Sequence, residues 1–293
     1  MSTSLLLAAC ATLLPAPLGD PAPTPPGTAV DVVTDASVEA LVEATRAFET
    51  DVTDIVRTAL AEGRAFTLLS ELVSVAPHRL AGSPGGAAAV EWGRQAMLEL
   101  GQQNVRLEPV QAVHWERGDV GRVALVEPAE FAGEELPMLA LGGSVATPEH
   151  GLVAEVVVVG SLEECDELGE RARGKIVLFN GRFDPGLAHT FTGYGRAVGQ
   201  RGRGASRAAA VGAVGALVRS MTPNLDDVPH TGVMRYEDAV PKIPAVAVST
   251  QGAERIAGLL KEGRAVQALL KLDCRRRPDT TAHTVIGEFE GTT

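Results

Sequence analysis

Apolar residues recur every three or four positions over residues 31–62, which predicts a helix with one apolar face. Gly63 follows directly and fits the end of that helix. A second helix with the same kind of pattern is predicted from about Ala65 to Val75. The apolar face of the first helix comprises Val38, Leu41, Val42, Phe48, Val52, Ile55, Val56 and Leu60.

The stretch "APHRLAGSPGG" that follows is rich in proline and glycine and is predicted to be a loop. Ser83 followed by Pro84 indicates a helix start, because serine caps free N–H groups and proline suits the first turn. That helix is predicted to run to Gly101, and "NVRLEPVQAVHW" is predicted to be a strand. Arg79, in the loop, is expected to pair with a carboxylate of its own domain.

From Glu116 onward, short β-branched runs alternate with helical segments, as in an α/β domain. Runs such as "VVVV" and "KIVLF" are apolar on both faces, which is typical of strands buried inside a sheet. "GASRAAAVGAVGALVRS" is predicted to be a helix of small residues that leads into a strand at Val214–Val218. Residues 116–277 are therefore predicted to form one β-rich α/β domain.

The end of the chain, "PDTTAHTVIGEFEGTT", contains an alternating stretch from Thr284 to Phe289 that predicts a strand. Its backbone N–H and C=O groups need partners, and an isolated strand buries almost no apolar surface. The sequence alone therefore raises the question of which strand lies beside it.

Composition narrows the class of protein. Apolar residues make up 45% of the chain, enough for substantial cores, while aromatic residues make up only 4% and glycine is abundant. The net charge of −11 argues against binding nucleic acid through the overall field. The local basic clusters, at Arg201–Arg207 and Arg275–Arg277, are interpreted as solvated faces or as partners for the many carboxylates.

Residues 1–30 resemble a secretory leader followed by a Pro-rich linker, and we expect the protein to be exported. The apolar run is too short to span a bilayer. Cys10 follows small residues, as in bacterial lipoproteins, so a lipid anchor at Cys10 is the minority alternative. No Lys or Arg precedes the apolar run, and an irregular N-terminus without a leader is the remaining alternative.

Few residues have the spacing of a catalytic or metal site. No HExxH, CxxC, phosphate-binding loop or nucleophile elbow is present. His230, near Asp226 and Asp227, forms the most ligand-like cluster, although a loop histidine beside solvated carboxylates is its ordinary interpretation. Cys165 and Cys274 can form one disulfide or none, and their spacing does not decide between the two.

The order of several segments resembles a known family. "GKIVLF", then "AAAVGAVGALVRS" and "VPKIPAVAVSTQGAERI", is similar to a protease-associated domain, a non-catalytic insert of exopeptidases. The segments Pro77–Gly118, Pro229–Ile256 and Pro278–Thr293 resemble secreted zinc exopeptidases of the carboxypeptidase Q type. Single pieces are weak matches, but their order and spacing over residues 35–293 are specific.

The resemblance implies an α/β fold in which an incomplete zinc-exopeptidase catalytic domain, of the phosphorylase/hydrolase-like type, is interrupted by a β-rich protease-associated domain. Residues 31–115 are then the N-terminal helical part of the catalytic domain, and 116–277 the protease-associated domain. Residues 278–293 are the first returning catalytic strand. The chain is expected to stop before the ligands of the two zinc ions, so no catalytic or metal-binding residue can be assigned in it.

For function, the resemblance implies hydrolysis of dipeptides or short peptides by the full-length enzyme, often as a homodimer. This chain by itself is expected to bind no zinc and to be inactive. His230 and Tyr236 are candidates for lining a substrate entrance. The alternative is a non-catalytic binding module built on the protease-associated domain.

Overall fold

In a computed structural model, residues 35–119 and 121–291 are described, apart from five side chains in the first helix. The predicted leader and Cys10 lie outside these residues. The chain divides into two compact units, residues 1–65 and 66–293. None of the described helices is long and apolar enough to cross a membrane.

The described part of the first unit is essentially one helix, α1 (Asp35–Glu62), which confirms the prediction from apolar spacing. Several apolar side chains of this helix are exposed, including Phe48, Ile55 and Leu60. The hydroxyls of Thr50 and Thr53 donate to carbonyls one turn earlier, at 3.0 and 2.7 Å, as expected for threonine inside a helix.

The second unit contains α3 (Pro84–Glu99) and all of α2 (Ala65–Val75) except its first residue. The predicted cap is confirmed, because Ser83 Oγ accepts a hydrogen bond from the Gly86 N–H at 3.0 Å. A Cβ on Gly85 would lie 1.8 Å from the carbonyl oxygen of His78. Only glycine therefore allows the preceding loop to fold back over the first turn of α3.

The last strand has a neighbour. β11 (Thr280–Glu288) pairs antiparallel with β1 (Gln103–Ala112), and Leu107 lies opposite Val285. Helix α3 packs on this pair, with Gly93 facing Val285. The predicted C-terminal strand is confirmed. A second short pair joins β2 (Trp115–Glu116) to β10 (Arg275–Arg276).

The part of the chain between β2 and β10 forms a seven-stranded mixed sheet with strand order β3-β9-β5-β6-β7-β8-β4. Strands β5 to β8 run parallel to one another, and β3, β9 and β4 are antiparallel to their neighbours. The strands are β3 (Gly121–Glu127), β4 (Met138–Ala140), β5 (Leu152–Val159), β6 (Ile176–Phe179), β7 (Gly215–Arg219), β8 (Ala245–Val248) and β9 (Gln267–Leu272).

The segment after β3 connects the two edges of this sheet. Leu125 N–H donates to the carbonyl of Glu134, and Leu136 N–H to that of Val123, both at 2.9 Å, so residues 134–136 pair with β3. Beyond Pro137, β4 pairs with β8 at the other edge. The sequence did not predict β4, because a three-residue strand after a proline carries no periodic signal.

Three helices cover the sheet: α4 (Leu162–Leu168), α5 (Thr190–Ala210) and α6 (Thr250–Lys261). Residues of α4 and α5 share one buried cluster with Val177 and Phe179, whereas α6 belongs to the other cluster, with Ile176 and Leu178. Successive residues of β6 thus face opposite cores, which agrees with the prediction from runs that are apolar on both faces. Short 3-10 turns occupy Ala129–Phe131 and Gly169–Ala172.

Helix α5 begins well before its predicted start at Gly204. Its first half contains Gly193, Gly195, Gly199 and Gly202, which are poor helix formers, so local propensity obscured it. Tertiary packing compensates for this, because a Cβ on Gly193 would lie 2.7 Å from the ring of Phe183.

Candidate functional site

A polar network lies at the carboxyl ends of the parallel strands, where open α/β sheets usually place their sites. Arg219, at the end of β7, is only 7% exposed. Its Nη1 donates to Asn180 Oδ1 at 3.1 Å, to the Thr250 carbonyl at 3.3 Å and to Glu254 Oε1 at 2.6 Å. Glu254 Oε2 also accepts from Arg182 at 2.6 Å. The network therefore joins β6, β7 and α6 through one shared carboxylate.

The loop that carries His230 is anchored on the start of α6. The Asp226 N–H donates to Thr250 Oγ1 at 2.8 Å, and Ser249 Oγ donates to Asp227 Oδ1 at 3.0 Å. The backbone N–H of His230 donates to Ser220 Oγ at 2.8 Å, while the residue as a whole is exposed. The Asp226 backbone and the Asp227 carboxylate thus help to fix the loop.

Tyr236 is partly buried against the core on the α5 side of the sheet. Its hydroxyl donates to the carbonyl of Ile243 at 2.5 Å, and burial raises its pKa above the ordinary value. Lys242 Nζ lies 5.9 Å from the centre of the ring. These contacts describe a packing role, and lining of a substrate entrance by His230 and Tyr236 stays a prediction.

A third region is a cavity of about 890 Å³. Its walls come from the α2–α3 loop at residues 77–83, from residues 115–119 around β2, and from Leu139, Asp273 and Arg275. Arg79 lines it, but the predicted pairing of Arg79 with a carboxylate is wrong: its Nη1 donates to the Ala76 carbonyl at 2.5 Å. The tight turn at 76–83 brings this carbonyl within reach. The sequence gives no signal for this cavity, because its wall residues are distant from one another in the chain.

Neither a metal site nor a disulfide is found among the described residues. No group of three or more His, Cys, Asp or Glu side chains in residues 35–119 and 121–291 could hold a metal ion. Cys165 and Cys274 are both buried and free, which resolves the alternatives left open by their spacing. Burial raises the pKa of each thiol to about 11.

Comparison with known proteins defines the class first. The fold is similar to part of an M28 peptidase: a peptidase M28 precursor from Shewanella amazonensis superposes with a TM-score of 0.77 at 33% identity. The match covers 83% of this chain and 54% of that one. The mixed α/β fold and the exopeptidase resemblance are thereby confirmed.

Sequence comparison identifies the relatives within that class. Carboxypeptidase Q from Xenopus laevis and from Homo sapiens are each 36% identical to this chain over 231 residues, 79% of its length. The chain is therefore a homologue of carboxypeptidase Q. It covers 47% and 46% of those two proteins, so it spans about half the length of the curated relatives it matches. No family model matches the chain.

Proposed function

We propose that this chain is part of a zinc-dependent exopeptidase that acts on dipeptides or short peptides. The observation that supports the proposal is the 36% identity to carboxypeptidase Q over 231 residues, together with the shared M28 fold. Identity at this level over so long a stretch reflects common descent, but substrates and activity belong to the whole protein.

The zinc ions require ligands that the described residues do not offer. These residues contain no cluster of His, Cys, Asp and Glu side chains suited to a metal ion. We therefore assign no catalytic step to them, and propose that the zinc ligands lie in the half of the relatives' length that this chain does not span.

We further propose that residues 116–277 form a protease-associated domain inserted into the peptidase domain, to which residues 31–115 and 278–293 belong. The pairing of β1 with β11 supports an insertion, because Ala112 and Thr280 are register partners. The chain thus leaves the strand pair and returns to it at adjacent positions. Export of the protein and assembly as a homodimer are parts of the same proposal.

The test compares the native protein from its source cells with the recombinant 293-residue chain. The native protein is characterised by intact mass and peptide mapping, and both are assayed for dipeptide hydrolysis with zinc and after chelation. We expect zinc-dependent hydrolysis by a native protein heavier than the chain, and none by the chain. A native protein that ends at Thr293 and hydrolyses no dipeptide would instead support a non-catalytic binding module.

A further inference from the structure

Three arginines from separate segments line the cavity of about 890 Å³. Arg79 comes from the α2–α3 loop, Arg117 follows β2, and Arg275 lies in β10. All three belong to the same compact unit. Arginine is the residue that proteins use most often to bind carboxylates, because its planar guanidinium group can donate two parallel hydrogen bonds.

Two of these guanidinium groups are held in place without being neutralised. Arg79 donates to the Ala76 carbonyl at 2.5 Å, and Arg117 Nε contacts the Ala140 carbonyl at 3.4 Å. The Arg117 guanidinium also lies 5.6 Å from the centre of the Trp115 ring. A guanidinium has five N–H donors, so each retains donors for a ligand.

The wall behind Arg117 contains a buried and hydrogen-bonded tryptophan. Trp115 is 7% exposed, and its Nε1 donates to the Ser144 carbonyl at 2.8 Å. Arg275 has no side-chain hydrogen bond or ion pair with any residue in the described part of the chain. Its charge is therefore available to a ligand.

The acidic residues that line the cavity do not form ion pairs with these three arginines. Glu116 is engaged by Arg277, which lies outside the cavity, through contacts of 2.9 Å from both Nε and Nη2. Asp273 accepts a hydrogen bond from the Asp119 backbone N–H at 3.3 Å, beneath the Gly118 turn. No ion pair joins any of the three cavity arginines to a carboxylate within the described residues.

Apolar groups complete the walls, namely Leu80, Leu139 and the Trp115 ring. A ligand that complements both the arginines and the apolar walls carries a carboxylate next to an apolar side chain. We propose that this cavity binds the C-terminal carboxylate of a short peptide that ends in an apolar residue, through Arg79, Arg117 and Arg275. The choice of a peptide, among carboxylates, rests on the proposed exopeptidase function.

Trp115 provides a direct readout, since the chain has only two tryptophans and the other, Trp92, lies on α3. In a Trp92→Phe background, Trp115 emission is titrated with Ala-Leu and with its C-terminal amide, both in the presence of a chelator. We expect saturable binding of Ala-Leu, and binding of the amide weaker by about tenfold or more, because the amide lacks the charge that strengthens the hydrogen bonds.

Variants then identify the donors. Arg275→Gln and Arg79→Gln should each weaken Ala-Leu binding by about tenfold, and Arg117→Lys less than Arg117→Gln, because lysine keeps the charge but not the planar fork. The matched control is Arg173→Gln, since Arg173 pairs with Glu170 on the surface, away from the cavity. Circular dichroism melts exclude unfolding as the cause of weaker binding.

The proposal is overturned if Ala-Leu and its amide bind equally, if Ala-Leu does not bind, or if Arg275→Gln and Arg79→Gln bind as tightly as the control. Displacement of Ala-Leu by inorganic phosphate as readily as by acetyl-leucine would also overturn it, since that indicates a general anion site. The titration needs no metal and no hydrolysis. If the titration fails while the native protein still cleaves dipeptides, only the proposed role of this cavity is refuted. If Ala-Leu binds selectively but the native protein does not cleave dipeptides, only the proposed function is refuted.

Discussion

Ala112 of β1 lies opposite Thr280 of β11, so the chain departs from one strand pair and returns to it at register-matched positions. Between them, the seven-stranded sheet builds two buried clusters from its own strands and from α4, α5 and α6. An insertion whose ends are adjacent can fold around its own core without its host.

We therefore predict that a fragment comprising residues 115–277, which keeps the buried Trp115 of the first core cluster, folds by itself. Its thermal unfolding should be cooperative, and it should not bind dyes that report exposed apolar surface. The control is the full 293-residue chain, measured under the same conditions by circular dichroism and dye fluorescence. A fragment that binds dye strongly and melts without a sigmoidal transition would show that the sheet depends on residues outside 115–277.

A second prediction concerns the ion pair between Arg219 and Glu254. The Arg219 side chain is 8% exposed, and Glu254 is the carboxylate that pairs with it, whereas Glu254 is 29% exposed and also pairs with Arg182. Glu254→Gln should lower the free energy of unfolding by about 3 kcal/mol, because it leaves the buried Arg219 charge without a carboxylate. Chemical denaturation of the fragment or the full chain measures the change.

The matched control for this pair is Glu170→Gln, since the surface pairing of Glu170 with Arg173 should contribute less than about 1 kcal/mol. A double mutant, Arg219→Met with Glu254→Gln, should recover part of the loss, because no buried charge remains without a partner. Equal effects of Glu254→Gln and Glu170→Gln would contradict the structural role assigned to the network.

Local patterns were sufficient to predict most of the elements. The Ser83–Pro84 start of α3 is confirmed because capping depends on neighbouring residues only. Strand β6 is confirmed because its run is apolar on both faces. The early start of α5 was missed because the first half of this helix contains four glycines, and the close packing of Gly193 on the Phe183 ring is not visible in a local pattern.

The cavity residues illustrate the same limit for sites. Arg79, Arg117 and Arg275 occur in three separate segments, and only the pairing of β2 with β10 and the fold of the α2–α3 loop place them around one cavity. The basic cluster at Arg275–Arg277 was interpreted as solvated or paired with carboxylates. That interpretation holds for Arg277, which pairs with Glu116, but Arg275 has no such partner among the described residues.

The glycines of α5 give a third prediction. A Cβ on Gly204 would lie 3.0 Å from the ring of Phe179, which is fully buried, whereas a Cβ on Gly202 would meet nothing within 4 Å. Alanine favours a helix over glycine by about 1 kcal/mol. Gly202→Ala should therefore stabilise the protein by roughly 0.5–1 kcal/mol, as measured by the midpoint of denaturant unfolding.

Gly204→Ala should instead destabilise the protein by about 1 kcal/mol, because overpacking against the Phe179 ring outweighs the gain in propensity. Combining it with Phe179→Leu tests the cause, since the smaller side chain should make the alanine better tolerated than it is in the native background. Stabilisation by Gly204→Ala of the same size as by Gly202→Ala would show that the contact between α5 and β6 is not tight.

The last prediction follows from the two buried thiols. Burial raises the pKa of Cys165 and of Cys274 from 9.0 to about 11, which favours the neutral thiol in the folded state. Because an unfolded thiol ionises at lower pH, this contribution to stability is complete below about pH 9 and is lost as the pH rises towards 11. Stability should therefore decline over that interval, and less steeply in a variant with Cys165→Ala and Cys274→Ala.

Both thiols should also resist iodoacetamide at neutral pH until the protein is unfolded, which peptide mapping detects site by site. Rapid labelling of either cysteine in the folded protein would contradict its burial.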